Sequence, residues 1–361
     1  MKKIGILLVA VALLSIFGES KACTSALVSA SKSSEGVPLL WKHRDSPDWD
    51  CHVEHIQGEK YAYTALVSKN RRYTYCGINE QGFAILNTVS ENLVKSPHIK
   101  PGKGAIANMA TALGVCASVE EFDAWLTKSN GKRPYVTNFA VGDSSGALAY
   151  FEVWGESFKR YDVSERSEGF DVRSNFSFAG NMKNPGPSVP RYDIVMRQME
   201  GKKLHSPYDF YHYSRNFALH NGTDALDTEG GFVCNDITVP RYFSVASAVM
   251  VCDKENPRLL AMVGHPVVGV PVPVYVKAKS AIPECVAGRS ALSLSEEFRA
   301  KAYHKIAELK YEVNESLVKS LLKYGDQYKM PRQMPNNIEK FNAKIDKRFA
   351  KHAERMRKVL Q

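Results

Sequence analysis

The chain has 361 residues, 44% of them hydrophobic and 10% aromatic, enough to bury one large core or two small ones, which excludes general disorder. Its formal net charge is +10, and residues 294–361, with 16 Lys/Arg against 9 Asp/Glu, carry +7 of it. Such a tail can meet anionic surfaces or nucleic acid, but no nucleic-acid motif accompanies it, and a Lys/Glu-rich helix is most often a solvated face.

In chain order, the first element is a secretion signal. Lys2 and Lys3 precede an apolar run over residues 4–17, and the small residues Ser20 and Ala22 then form a signal-peptidase pattern. Residues 1–22 are therefore expected to be removed, leaving Cys23 as residue one. The apolar run has 14 residues, short of the ~20 that cross a bilayer as a helix, and no other segment resembles it. The mature protein is expected to be periplasmic or secreted, with no stable membrane span. Acylation of Cys23 as a lipoprotein is the alternative, although Ser20 and Lys21 stand where lipoprotein signals carry an aliphatic and a small residue.

From Thr24 to about residue 280, short β-branched and aromatic runs recur: TSALVSA, VPLLWKH, YAYTALVS, RRYTYCGI, GFAILNTV, TNFAVGD, ALAYFEVW and YFSVASAVMVC, punctuated by Gly, Asn, Asp and Ser. They read as strands, many in hairpins; GDSSGA between NFAV and LAYFEV has good turn chemistry. Helices interrupt them. Two short ones fall within GAIANMATALGVCASVEEFDAWLTKS, the second opened by the capping-box pattern Ser118-x-x-Glu121, and VPRYDIVMRQME and SPYDFYHYSRNFA supply two more. Many strands with helices inserted in groups, and no strict alternation, predict an α+β layered fold. Further on, Leu309, Val313, Leu317 and Leu321 recur every four residues before Gly325, and NNIEKFNAKIDKRFAKHAERMRKVL repeats the theme after Pro335. The division read from this is a signal peptide over 1–22, a catalytic body over 23–285 and a basic helical C-terminal extension over 286–361.

Seven cysteines lie in the mature chain: Cys23, Cys51, Cys76, Cys116, Cys234, Cys252 and Cys285. An odd number leaves at least one thiol unpaired in an oxidising compartment. No spacing is C-x-x-C, so neither a zinc site nor a thioredoxin-type motif is indicated, and no metal or cofactor is implied. The six others read as buried small hydrophobes or disulfide partners of unassigned pairing. Around Cys23, CTSALVSASKSSEGVPLLWKHRDSPDWD reads as a strand, a turn at Glu35-Gly36 and a returning strand. That hairpin would bring Asp45 and its basic neighbours back beside Cys23. A thiol, an α-amino group, a carboxylate and a cation together suit nucleophilic catalysis.

Over most of residues 23–280, and in order, the sequence resembles the N-terminal nucleophile hydrolases that act on linear amides: penicillin acyltransferases, carcinine hydrolase and, more distantly, choloylglycine (bile salt) hydrolases and a dipeptidase branch. The pieces that carry the resemblance are CTS at the mature start, LLWKHRDS, GINEQGFAILN at 77–87, VGDSSGALAYFEV at 141–153, VRSNF at 172–176, ITVPRYFSVASAV at 237–249 and GHPVVGVPVPVYV at 264–276. It implies a four-layer αββα sandwich and a cysteine amidohydrolase cleaving linear C–N bonds other than peptide bonds through a thioester acyl-enzyme. The base would be the nucleophile's own α-amino group, whose ordinary pKa of ~7.7–8.0 lies near working pH.

The resemblance makes Cys23 the nucleophile, Asp45 the carboxylate that holds the α-amino group, Asn87 the amide donor to the oxyanion, and Asn175 a second asparagine orienting nucleophile or substrate. Arg241 is the candidate for the arginine of the later strand, and Arg191 shares its local VPRY context. Singly, Asn and Asp are common turn formers and an arginine is a common surface charge; their company with a cysteine that becomes residue one favours catalysis. The chain departs from the bile salt and dipeptidase branches, where Arg-Asn precedes x-Asp, by reading Lys42-His43-Arg44-Asp45. Either Lys42 or Arg44 takes the arginine's substrate-binding place, and a lysine cannot form the same bidentate fork.

The expected partner is a small-molecule amide, not nucleic acid, and a homo-oligomer is left open. The papain-type signature C-G-[SA]-C-[WY] is missing. Hydrolysis is favoured over acyl transfer because an exported enzyme meets water in excess. Residues 89–105 and 200–235 would shape the pocket, and nothing in them specifies the acyl or amine half. A conjugated bile salt hydrolase, a dipeptidase and a non-catalytic lipoprotein acylated at Cys23 are the alternatives.

Overall fold

The computed structural model describes residues 23–46, 50–68, 73–94, 104–216, 237–299 and 330–360. The expected signal peptide, Cys234 and most of the helix expected before Gly325 lie outside them.

Thirteen strands are described: β1 Cys23–Val28, β2 Leu39–Asp45, β3 His52–Gln57, β4 Ala62–Ser68, β5 Tyr73–Asn79, β6 Ala84–Val89, β7 Thr137–Gly142, β8 Leu148–Val153, β9 Phe158–Asp162, β10 Phe170–Arg173, β11 Ser244–Val251, β12 Arg258–Val263 and β13 Val272–Tyr275. They form two antiparallel sheets. One has six strands in the order β10-β1-β2-β11-β12-β13, and the other has seven in sequence order from β3 to β9. Because strand side chains alternate in direction, each sheet offers two faces, and all four are occupied. Leu27, Leu40, Ala246 and Met250 of the first sheet pack with Leu66, Tyr75, Ile78 and Leu86 of the second in one shared core between the sheets.

Helices cover the outer faces. α1 (Ala105–Val115) and α2 (Val119–Thr127) bury Met109, Leu113, Phe122 and Leu126 against Phe83, Ile85, Phe139 and Phe151 of the seven-stranded sheet. α3 (Val189–Glu200) and α4 (Asp209–Tyr213) bury Ile194, Val195, Met199 and Phe210 against Trp41, Val172 and Val249 of the six-stranded sheet. The four layers are thus αββα, the α+β architecture expected from the sequence.

Local chemistry agrees with the reading of individual elements. Ser118 caps α2 by accepting the Glu121 N–H at 3.1 Å, and the Glu121 carboxylate reaches back to the Ala117 N–H at 2.8 Å. The β7–β8 hairpin turns on Asp143, whose Oδ1 accepts the Ser145 N–H at 2.8 Å, with Gly146 at φ 105°, a conformation that favours glycine. The six described cysteines are all buried and none is in a disulfide among the described residues; apart from Cys23, they pack as small apolar side chains.

At the C-terminal end, α5 (Glu284–Ala287) is followed by a helical stretch over 290–299 and, later, by α6 (Ile338–Leu360). Although α6 is polar overall, its Ile345, Phe349, Ala353 and Met356 join the core between the sheets. Asp346 accepts the Glu284 and Cys285 N–H groups at 3.1 and 2.8 Å, and His352 bonds the Val268 carbonyl at 2.8 Å. No helix among the described residues is long and apolar enough to cross a membrane.

Candidate active site

The site forms at the open end of the first hairpin. β1 and β2 pair so that Cys23 lies opposite Arg44, Thr24 opposite His43 and Ser25 opposite Lys42. Alternation places Cys23, Ser25, Lys42 and Arg44 on the face that looks toward the other sheet, with Leu27 and Leu40 of the core. Thr24, Trp41 and His43 look the other way, toward α3 and α4. Cys23 is buried.

Asn175, just past β10, receives the Cys23 backbone N–H on Oδ1 at 2.9 Å. Its own amide donates to the Val89 carbonyl at 3.0 Å, and its backbone N–H is held by Ser188 Oγ at 3.1 Å, so the side chain is fixed at both ends. Across the sheets, the Lys42 ammonium donates to the Asn87 carbonyl and, at 3.1 Å, to Asn87 Oδ1. An ammonium is donor-only, so this contact sets the Asn87 amide with its NH2 turned away; one of those hydrogens goes to Thr137 Oγ1 at 3.1 Å. Burial lowers the Lys42 pKa, the Cys23 sulfur raises it, and Arg44 lowers it further. Arg44 instead lays its guanidinium 3.3 Å from the Tyr75 ring centroid. Of the two candidate cations, Lys42 is the one that touches another expected site residue.

Asp45 ends β2 with no measurable exposure. Its Oδ1 accepts Ser244 Oγ at 2.6 Å and lies 3.2 Å from His43 Nε2. Its Oδ2 is buried and accepts no hydrogen bond, with Arg241 Nη1 at 3.8 Å. Burial alone would raise this carboxyl, but His43, by charge and hydrogen bond, and then Arg241 and Arg191 outweigh it and hold the pKa at about 2. Arg241 sits in the loop before β11, not within a strand; its carbonyl accepts from His265 Nε2 at 2.8 Å.

Arg191 makes the contacts that its VPRY context could equally have assigned to Arg241. From the first turn of α3, Nη1 donates to the Cys23 carbonyl at 2.9 Å and Thr24 Oγ1 at 3.1 Å, while Nη2 donates to Asn175 Oδ1 at 2.8 Å. It is buried, and burial lowers its pKa to about 10 against the opposing pull of Asp45.

No family model matches the chain, and no curated protein does. Solved structures do resemble it. A variant of the conjugated bile acid hydrolase from Clostridium perfringens is 14% identical, with 74% of this chain and 94% of that one covered at a TM-score of 0.48. The penicillin V acylase from Agrobacterium tumefaciens is 14% identical over 71% of this chain and 86% of that one, at 0.44. An N-acylethanolamine-hydrolyzing acid amidase ortholog from Caenorhabditis elegans is 16% identical over 64% and 93%, at 0.39. The chemistry of the site has to be argued from its own residues.

Cys23, Asp45, Asn175 and Arg241 are thus clustered at the end of the six-stranded sheet, and Lys42 links that cluster to Asn87 on β6 of the other sheet. The sequence reading left Arg191 unassigned and did not weigh His43, Ser244, Thr137 or His265. His43 is visible in WKHRD and Ser244 begins YFSVASAVM, but a buried His or Ser is ordinary until the partner from a distant strand is known. Among the described residues no group of three His, Cys, Asp or Glu is placed to hold a metal ion.

Proposed function

We propose that this chain is an exported cysteine amidohydrolase in which Cys23, exposed as residue one by removal of residues 1–22, cleaves a linear non-peptide or N-acyl amide. The observation that carries the reading is the fixation of the Cys23 backbone nitrogen. Asn175 Oδ1 accepts from it at 2.9 Å and is itself held by Arg191 at 2.8 Å. Once the chain starts at Cys23, that nitrogen is a primary amine pinned beside its own thiol. It takes the thiol proton, the thiolate attacks the substrate carbonyl, and the charge that develops on oxygen draws on the Asn87 amide. The amine returns its proton to the departing amine, leaving a thioester that water, deprotonated by the same group, then hydrolyses.

Asp45 supports each step. Its carboxylate stays ionised at any working pH, and Oδ2, which accepts no hydrogen bond, favours the protonated amine without taking its proton. Lys42 supplies positive charge on the thiol's side of the sheet and fixes the orientation of Asn87.

The test is direct. Mass spectrometry of the exported protein should give a free Cys at the N-terminus, and a diacylglyceryl mass would instead establish the lipoprotein. Purified protein is then screened against N-acyl amino acids, taurine and glycine conjugates of bile acids, β-alanyl amides and dipeptides. Cys23→Ser should abolish turnover of whichever amide is accepted; undiminished turnover would remove Cys23 from the mechanism.

A further inference from the structure

Beyond the cations of the site described above, much of the charge that makes this protein basic lies on one face of α6. Lys340, Lys344, Lys347, Lys351 and Lys358 are all exposed. At 3.6 residues per turn these positions fall within an arc of about 60°, and at 1.5 Å per residue they run ~27 Å along the axis. None of the five is engaged in an ion pair among the described residues, whereas Arg357 is paired with Glu297 at 3.2 Å and Asp346 is committed to α5. Glu354 stands at the edge of the stripe and Arg355 on its flank. The exposed residues beside the lysines include Ala343 and Ala350, so the ammonium groups are the outermost atoms of a flat row.

The opposite side of the helix is taken. Ile345, Phe349, Ala353 and Met356 are buried in the central core, so α6 cannot roll over to insert an apolar face into lipid, as a free amphipathic helix would. No exposed aromatic side chain interrupts the stripe to stack on unpaired bases. A row of point charges on a helix anchored by its apolar side, without apolar or stacking groups, matches a flat anionic surface, held by charge alone and released by salt. For a chain with an export signal, that surface is the headgroup layer of an anionic bilayer.

We infer that α6 docks the protein on anionic lipid headgroups through Lys340, Lys344, Lys347, Lys351 and Lys358, without insertion. The protein from Cys23 to Gln361 is sedimented with vesicles of phosphatidylcholine containing 30 mol% phosphatidylglycerol and with vesicles of phosphatidylcholine alone, at 50 and 500 mM NaCl. Binding is expected only to the anionic vesicles and only at low salt. Each headgroup-facing lysine contributes roughly fivefold in partition, so the variant Lys344→Gln/Lys347→Gln/Lys351→Gln should bind on the order of 10²-fold more weakly. The equally discharged control Lys132→Gln/Lys183→Gln/Lys203→Gln should bind within a few-fold of the parent. Equal losses in the two variants would reduce the effect to net charge and overturn the assignment. So would binding to neutral vesicles, or binding that a DNA duplex of equal charge competes away at equimolar phosphate. Circular dichroism of each variant confirms that α6 is retained.

Discussion

Arg191 touches three acceptors around Cys23, and the geometry depends on its planar fork. Arg191→Lys keeps the charge but reaches at most one of the pair Cys23 carbonyl and Asn175 Oδ1. A lost hydrogen bond to a charged group is worth about 1.5–3 kcal/mol, so kcat/KM should fall about 10- to 100-fold, mainly in kcat. An unchanged kcat with a raised KM would show that Arg191 binds substrate instead of holding the nucleophile. The sequence put forward Cys23, Asp45, Asn87 and Asn175 because each stands in a short recognisable segment. It put Arg241 forward although Arg191 also follows Val-Pro, and it is Arg191 that lies against Cys23, because the difference is made by which element passes beneath that residue. Between Lys42 and Arg44 it left the choice open, since they share one face of β2 and differ only in what the opposing sheet offers.

At the scale of elements, the edge that carries the site is laced by a buried ion network. Arg173 of β10 donates to Glu152 of β8 at 2.8 Å and to Asp171 at 2.7 Å, all three nearly inaccessible. Glu152 also accepts the Phe178 and Ala179 N–H groups at 2.9 and 2.7 Å, which ties the loop after Asn175 to the second sheet. Removing one partner of such a pair strands a buried charge. Arg173→Met should therefore lower the unfolding free energy by about 3–5 kcal/mol in urea titration, and Arg173→Met/Glu152→Gln should recover part of that loss. A double variant as unstable as the sum of the two singles would show that the network is not coupled. The strands the sequence revealed are the half-buried or fully buried ones with long β-branched runs. It missed β3 and β9, which are polar edge strands of the seven-stranded sheet, β10, which has four residues, and β12, whose buried RLLAMV run has a single β-branched residue. It also missed β13, whose Pro273 is tolerated because β13 is an edge of its sheet.

For the whole molecule, two buried histidines make folding sensitive to acid. His265, within the loop 265–268, accepts the Val267 N–H, and His352 on α6 bonds the Val268 carbonyl. Burial lowers their pKa values, to about 3 for His265 and about 4 for His352, despite the bonds each makes to a carbonyl. The unfolded chain protonates them near pH 6.5, so their contribution is present above that pH and is lost as pH falls toward the folded values. Between pH 7 and pH 5 the pair should account for about 4 kcal/mol of lost stability. The test is whether the fall in unfolding free energy over that interval is smaller by about this amount in His265→Gln/His352→Gln; an equal fall would refute it.

By itself the sequence determined the α+β class, because strand and helix periodicities fix which faces must be buried, and it put Asp45 near Cys23, because both lie on one hairpin whose pairing is local; the αββα order of the layers came only through the family resemblance. Only the tertiary structure decided which arginine clamps Cys23 and which cation meets Asn87. It also decided that the apolar side of α6 belongs to the central core. Those outcomes depend on residues up to 168 positions apart, brought together by the pairing and packing of sheets, and no local pattern records which distant side chain arrives opposite which.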